Sequence, residues 1–124
     1  MIKYFACELA SKLIGKEDDT IVIAYANQIA DDKLAIKIRD KVNNTHGLVE
    51  NIIVKADDES VVVTIEATMA IPGICDLYDE RKPVTFKRSE FEIDELADHI
   101  MLVITSYHES RLENNETLER IFPL

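Results

Sequence analysis

Val61-Val62-Val63-Thr64-Ile65-Glu66-Ala67-Thr68-Met69-Ala70-Ile71 decides the fold class. Val61, Val63, Ile65, Ala67, Met69 and Ile71 fall on one side of an extended chain, and the polar Thr64, Glu66 and Thr68 fall on the other. That period of two is the pattern of a strand with one face on a core and the second face wetter. Leu48 to Lys55 precedes it across Ala56-Asp57-Asp58-Glu59-Ser60, a polar turn of hairpin length. Pro72-Gly73 ends the second strand. Ile74 to Pro83 reads as an irregular loop, and Val84-Thr85-Phe86-Lys87 as a short strand.

Upstream the period changes. Phe5, Ala6, Leu9, Leu13 and Ile14 recur at about 100° per residue, so Ile2 to Ile14 is expected to be a helix, with Gly15 at its C-terminal cap. Thr20 to Ala26 is a short apolar run that fits either a strand buried on both faces or the start of a helix. A second helix is expected from Asp31 or Asp32 to about Asn44. Its apolar stripe is Leu34, Ala35, Ile38 and Val42, and Lys33, Lys37 and Lys41 form a basic line along it.

Downstream, Ser89-Glu90-Phe91-Glu92 has the form of a capping box opening a long helix to about Leu112. Its core stripe is Ile93, Leu96, Ala97, Ile100, Val103, Ile104 and Tyr107. Phe91, Glu95, Asp98, Leu102 and Glu109 line the back, two apolar studs among acids. Residues 113–124 form a fraying or docking tail. The expected architecture is a single α+β domain over 1–124. A small, mainly antiparallel sheet of three to four strands is packed by two or three helices, the last of them long.

Composition bounds the function. A chain of 124 residues with 47% hydrophobic and 31% charged residues can bury one core unaided. No apolar run approaches the ~20 residues needed to cross a bilayer, and polar residues interrupt any N-terminal signal core. A cytoplasmic setting, in the producing cell or a host cell, is expected. Cys7 and Cys75 lack paired spacing and read as packed thiols. The net charge of −10 opposes direct nucleic-acid binding and favours a protein partner with a basic surface.

No catalytic constellation emerges. The three glycines all punctuate elements, and no phosphate-binding glycine motif is present. Glu95 and His99 share a helix face without further ligands, and Asp76-Leu77-Tyr78-Asp79-Glu80 lacks the order of a calcium loop. No enzyme activity, metal or cofactor is therefore expected. The leading expectation is a small acidic interaction protein of the inhibitor, immunity or adaptor type, by analogy with those phages encode. Partner binding falls to Phe91, Glu95, Asp98, Leu102 and Glu109. The alternative is an oligomeric binder of a small anionic ligand or nucleotide through Arg81, Lys82, Phe86, Lys87 and Arg88. A homodimer is expected as well, with the lysine line of one copy meeting the acidic helix of another and Leu118, Ile121 and Phe122 adding apolar area.

Overall fold

The structure, a computed structural model, describes residues 2–42, 48–71, 75–80 and 82–121, with side chains described at 4–42, 50–67 and 82–111. Helix α1 (Ile2–Leu13) is followed by strands β1 (Ile21–Ala30), β2 (Lys33–Asp40), β3 (Leu48–Ala56) and β4 (Ser60–Ile71). Two short strands, β5 (Cys75–Glu80) and β6 (Val84–Lys87), lead through a 3-10 turn at Arg88–Glu90 into α2 (Ile93–Ile121). All pairings are antiparallel, and β1 to β5 stand side by side in chain order. Strand β6 shares one edge of β4 with β5: β5 pairs with Glu66–Ile71 and β6 with Ser60–Val63. The sheet therefore has six strands in five columns rather than three or four, and the α+β class holds.

The hairpin of β3 and β4 follows its hydrophobic alternation. Val61, Val63, Ile65 and Ala67 are buried, and Asp57 closes the turn by accepting the amides of Glu59 and Ser60 at 2.9 and 2.7 Å. Helix α1 buries Ala6, Leu9, Ala10 and Leu13, while Ile14 just beyond it is 53% exposed. Cys7 lies on the outer side of α1 as an exposed free thiol, not a packed one. Residues Ile21–Ala30 form a strand, and only one face of it is covered. Ile21, Ile23 and Ala26 are buried, Val22 is half-buried, and Ala24 and Tyr25 are exposed.

Three elements differ from the sequence reading, each for an identifiable reason. The segment expected to be a second helix is β2. Positions i and i+4 share a face in a strand as well as in a helix, so Leu34 and Ile38 fit both patterns. Ile36 separates them: it is 1% exposed beside Leu34, where a helix would have turned it away. The Ile74–Pro83 loop contains β5, a polar edge strand without hydrophobic alternation. Helix α2 starts at Ile93, because Ser89 lies in the 3-10 turn and Phe91 is extended (φ −136°, ψ 139°). The reach-back of the capping box is made three residues later, where Glu95 accepts the Glu92 amide at 3.4 Å. The helix continues to Ile121, through most of the expected tail, and the side chains of Leu118, Ile121 and Phe122 lie outside the described residues.

Both helices lie on the same face of the sheet. Leu9 and Leu13 of α1 and Leu96, Ile100 and Ile104 of α2 meet Ile23, Ile36, Ile52, Val54, Val63 and Ile65 in one core. Lys12–Asp94 at 2.9 Å links the helices at the surface, and Lys16–Asp98 at 2.5 Å ties the connector after α1 to α2. Gly15 joins α1 to β1 at φ +80°, its amide donating to the Ile23 carbonyl at 2.9 Å. A Cβ there would meet nothing within 4 Å, so Gly15→Ala tests conformation alone. It is expected to cost ~1–2 kcal/mol in urea unfolding, the left-handed backbone penalty of a residue with a Cβ.

Candidate functional site

Among the described residues β2 and β3 are laddered between Lys33–Ile36 and Ile52–Lys55, although β2 runs on to Asp40 and β3 begins at Leu48. His108 of α2 bridges the two unladdered ends. Its Nδ1 lies 2.5 Å from Glu50 Oε1 on β3 and its Nε2 2.7 Å from Asp40 Oδ2 on β2. Arg111, one turn along α2, donates to the other Glu50 oxygen at 3.2 Å. The side chains of His108, Arg111, Asp40 and Glu50 are 2%, 2%, 0% and 8% exposed. Two cations and two anions thus balance inside the protein.

Neutral imidazole has one N–H, so two carboxylate partners require the doubly protonated ring. Burial works against that charge, but the hydrogen bonds to Glu50 and then to Asp40 outweigh it and raise the His108 pKa. Both ring nitrogens are occupied and the ring is buried, so His108 serves as a strut between α2 and the two strands. A second polar junction secures the same helix one turn earlier. Thr105 donates to Asp18 Oδ2 at 2.5 Å, while Asp18 Oδ1 accepts the amides of Thr20 and Ile21 at 2.8 and 2.9 Å. Burial raises the Asp18 pKa less than these hydrogen bonds lower it, and its net shift is downward.

The strut presents one side of α2 to solvent in a fixed orientation. Glu95, Asp98, Leu102 and Glu109 are all exposed there, Leu102 at 63%. Phe91 does not join them. It turns inward and packs against Phe86 and His99 with ring centroids 5.8 and 4.9 Å apart. Asp98 holds Lys16, and Glu109 accepts the Thr20 hydroxyl at 3.0 Å, so these two acids also brace the fold. His99 contacts the two phenyl rings, and no group of His, Cys, Asp and Glu among the described residues could hold a metal ion.

The residues of the alternative anion site do not converge. Arg81 lies outside the described residues, and Lys82 and Lys87 are exposed. Phe86 is packed on the core. The Arg88 guanidinium sits 3.6 Å over the Phe5 ring and donates to the Asp57 carbonyl at 2.7 Å. Cations gather elsewhere, on the sheet face that no helix covers. The alternation of β2 turns Lys33, Lys37 and Arg39 to that face, the register sets Lys33 opposite Lys55, and Lys87 follows on β6. Among the described residues none of the five is within ion-pair distance of a carboxylate, and Ala35, Ile53 and Val62 lie half-buried among them. Glu66 is the acid on this face among the described side chains of the central strands.

Lys33 and Lys37 of the expected basic line thus stand on a strand rather than on a helix and oppose the acidic side of α2 across the molecule, whereas Lys41 lies beyond β2 and pairs with Glu17 at 3.4 Å. Contact between the two surfaces on separate copies would be head-to-tail, not two-fold symmetric. Among the described residues no helix is long and apolar enough to cross a membrane. Comparison with known proteins finds no family model, no curated protein and no solved structure that matches the chain.

The four-residue network gives two measurable consequences. His108→Gln is expected to lower stability by ~3–5 kcal/mol at pH 6, the range for removing one partner of a buried ion pair. A raised folded pKa means that the folded state holds its proton longer than the unfolded chain. The His108 contribution is thus complete below ~6.5, the ordinary histidine value, and is lost as pH rises through the higher folded value. Urea titrations from about pH 5 to about pH 9 should show this decline in the wild type and not in the variant.

Proposed function

We propose that the protein is a binding module that engages a basic surface on another protein through the solvent side of α2. The observation that carries this reading is Leu102, a large apolar side chain 63% exposed on the helix side that bears Glu95, Asp98 and Glu109, with the exposed His99 and Ser106 beside it. An apolar anchor ringed by charge is the arrangement in which the anchor supplies affinity and the charges supply encounter rate and selectivity. The buried strut supports it further, since a helix held in one rotation loses little entropy on docking. Phe91 is no part of the surface, which reduces to Glu95, Leu102 and the outer edges of Asp98 and Glu109.

Leu102→Asp and Glu95→Lys test this reading, because neither side chain is buried. Leu102→Asp should leave the melting temperature near that of the wild type, and Glu95→Lys, which also removes the reach-back to the Glu92 amide, should cost no more than the ~0.5–2 kcal/mol of a lost helix cap. Each should reduce capture of a specific partner from cells of the source organism by ~10-fold or more, a loss of about 1.4 kcal/mol. Undiminished capture by both variants would remove the reading.

A second reading places anion binding on the open sheet face instead of the 81–88 segment. Lys33 directly opposite Lys55, with no acid between them, is a like-charge pair that costs stability unless an anion covers it. Inorganic pyrophosphate or a nucleotide at 100 times its Kd should stabilise the protein by ~2.7 kcal/mol. A Lys33→Glu/Lys55→Glu variant should lose that stabilisation. The absence of any melting shift in the wild type at millimolar ligand would dismiss this second reading.

A further inference from the structure

Ile21-Val22-Ile23-Ala24-Tyr25-Ala26-Asn27-Gln28-Ile29-Ala30 forms one edge of the sheet and contains no charged residue, no proline and no glycine. Edge strands offer a row of open backbone donors and acceptors, and soluble proteins usually guard them with charge, proline or shortness. The opposite edge is guarded in that way. It is divided between β5 and β6, six and four residues long, and carries Asp76, Asp79, Glu80 and Lys87 in its sequence. On β1 the connector after α1 covers only the beginning, through the bonds between Gly15 or Lys16 and Ile23 and between Asp18 and Ile21. From Ala24 to Ala30 no backbone partner lies on the outer side among the described residues.

Three exposed apolar side chains lie on or beside this edge. Tyr25 is 40% exposed, Ile29 57%, and Ile14, beside the Gly15–Ile23 contact, 53%. Two irregularities interrupt the ladder with β2, at Ala24 and at Ile29, and Tyr25 to Gln28 runs regularly between them. Bulges can turn an edge away from a neighbour, but here the residue at the second bulge is an exposed isoleucine, which leaves the edge apolar.

We propose that β1 pairs antiparallel with β1 of a second copy of this chain, joining the two sheets edge to edge. The charge distribution selects a second copy as the occupant. Two molecules of net charge −10 repel over most approaches, and β1 is the long element on which a two-fold axis sets no charge against its own image. A two-fold near Ala26 sets Tyr25 beside the partner's Asn27 on the open face. The interface is isologous, as the opposed positions of the basic sheet face and the acidic helix prevent that pairing from being. The two open faces become one continuous surface, with Lys37 of each copy flanking the seam.

Light scattering after size exclusion tests this on the whole chain. The wild type should show twice the 14.1 kDa chain mass, and raising the salt should strengthen the dimer by screening the repulsion between copies. Asn27→Lys/Ile29→Lys alters two exposed side chains, so its circular dichroism and melting temperature below the dimer concentration should match the wild type. It should elute as a monomer even though it is less negative. Leu102→Asp should remain a dimer. A wild-type monomer at both salt concentrations would overturn the proposal, whether the edge is then free or takes an extended segment of another protein. So would a dimer that persists in Asn27→Lys/Ile29→Lys, or one that weakens with salt and is lost in Leu102→Asp.

Discussion

One imidazolium holds the ends of two strands that the sheet itself does not join. Beyond Ile36 and Ile52 the ladder between β2 and β3 stops, and His108 replaces the missing backbone bonds with one hydrogen bond to each side. Because the ring comes from α2, the contact also fixes the rotation of the helix over the sheet. Arg111 completes the balance of charge on Glu50. A buried pair of this sort gives little net stability compared with an apolar replacement, since desolvating the ions consumes most of the Coulomb gain. Its consequence is specificity: any sliding or rotation of α2 would leave buried charges without partners. The Thr105–Asp18 bond reinforces the same alignment one turn away.

That alignment decides which residues of α2 remain outside. With Leu96, Ile100 and Ile104 on the core and His108 and Arg111 on the strand ends, the buried stripe runs along the helix at positions i, i+4, i+8, i+12 and i+15. Leu102 lies opposite and has no place in the core. The exposed leucine is therefore a consequence of where the helix is held, and its neighbours Glu95, Asp98 and Glu109 share that side for the same geometric reason.

The hairpin, α1 and its Gly15 cap were legible because each relies on a local pattern with one interpretation. Strand β2 was not, since Leu34 and Ile38 satisfy two periods at once, and only Ile36 distinguishes them. Strand β5 was hidden because the strand at a sheet edge need not alternate. The candidate site was legible in part. Leu102 and the acids around it follow from the helix pattern, whereas Phe91 precedes the helix and obeys the extended backbone that turns it inward. The buried network carried a signal that periodicity can reveal. Asp40 continues the inward series Leu34, Ile36, Ile38, and Glu50 begins the inward series Ile52, Val54. His108 and Arg111 continue the inward stripe of α2. Two acids and two bases at core-facing positions must meet, as isolated buried charges are far too costly.

The open sheet face follows from the size of the chain. Two helices can cover one side of a five-column sheet, and the other side must then be wetted by polar or charged side chains. Solvation does not dictate the sign of those charges. The sequence has 24 acids and 14 bases, so a face populated without preference would be mainly acidic. Lys33, Lys37, Arg39, Lys55 and Lys87 nevertheless occupy it on β2, β3 and β6, while the register sets Glu66, Glu80 and Asp76 together along the β4–β5 side. Grouping like charges on adjacent strands costs local repulsion that mixing the signs would relieve, and Lys33 opposite Lys55 bears that cost most directly.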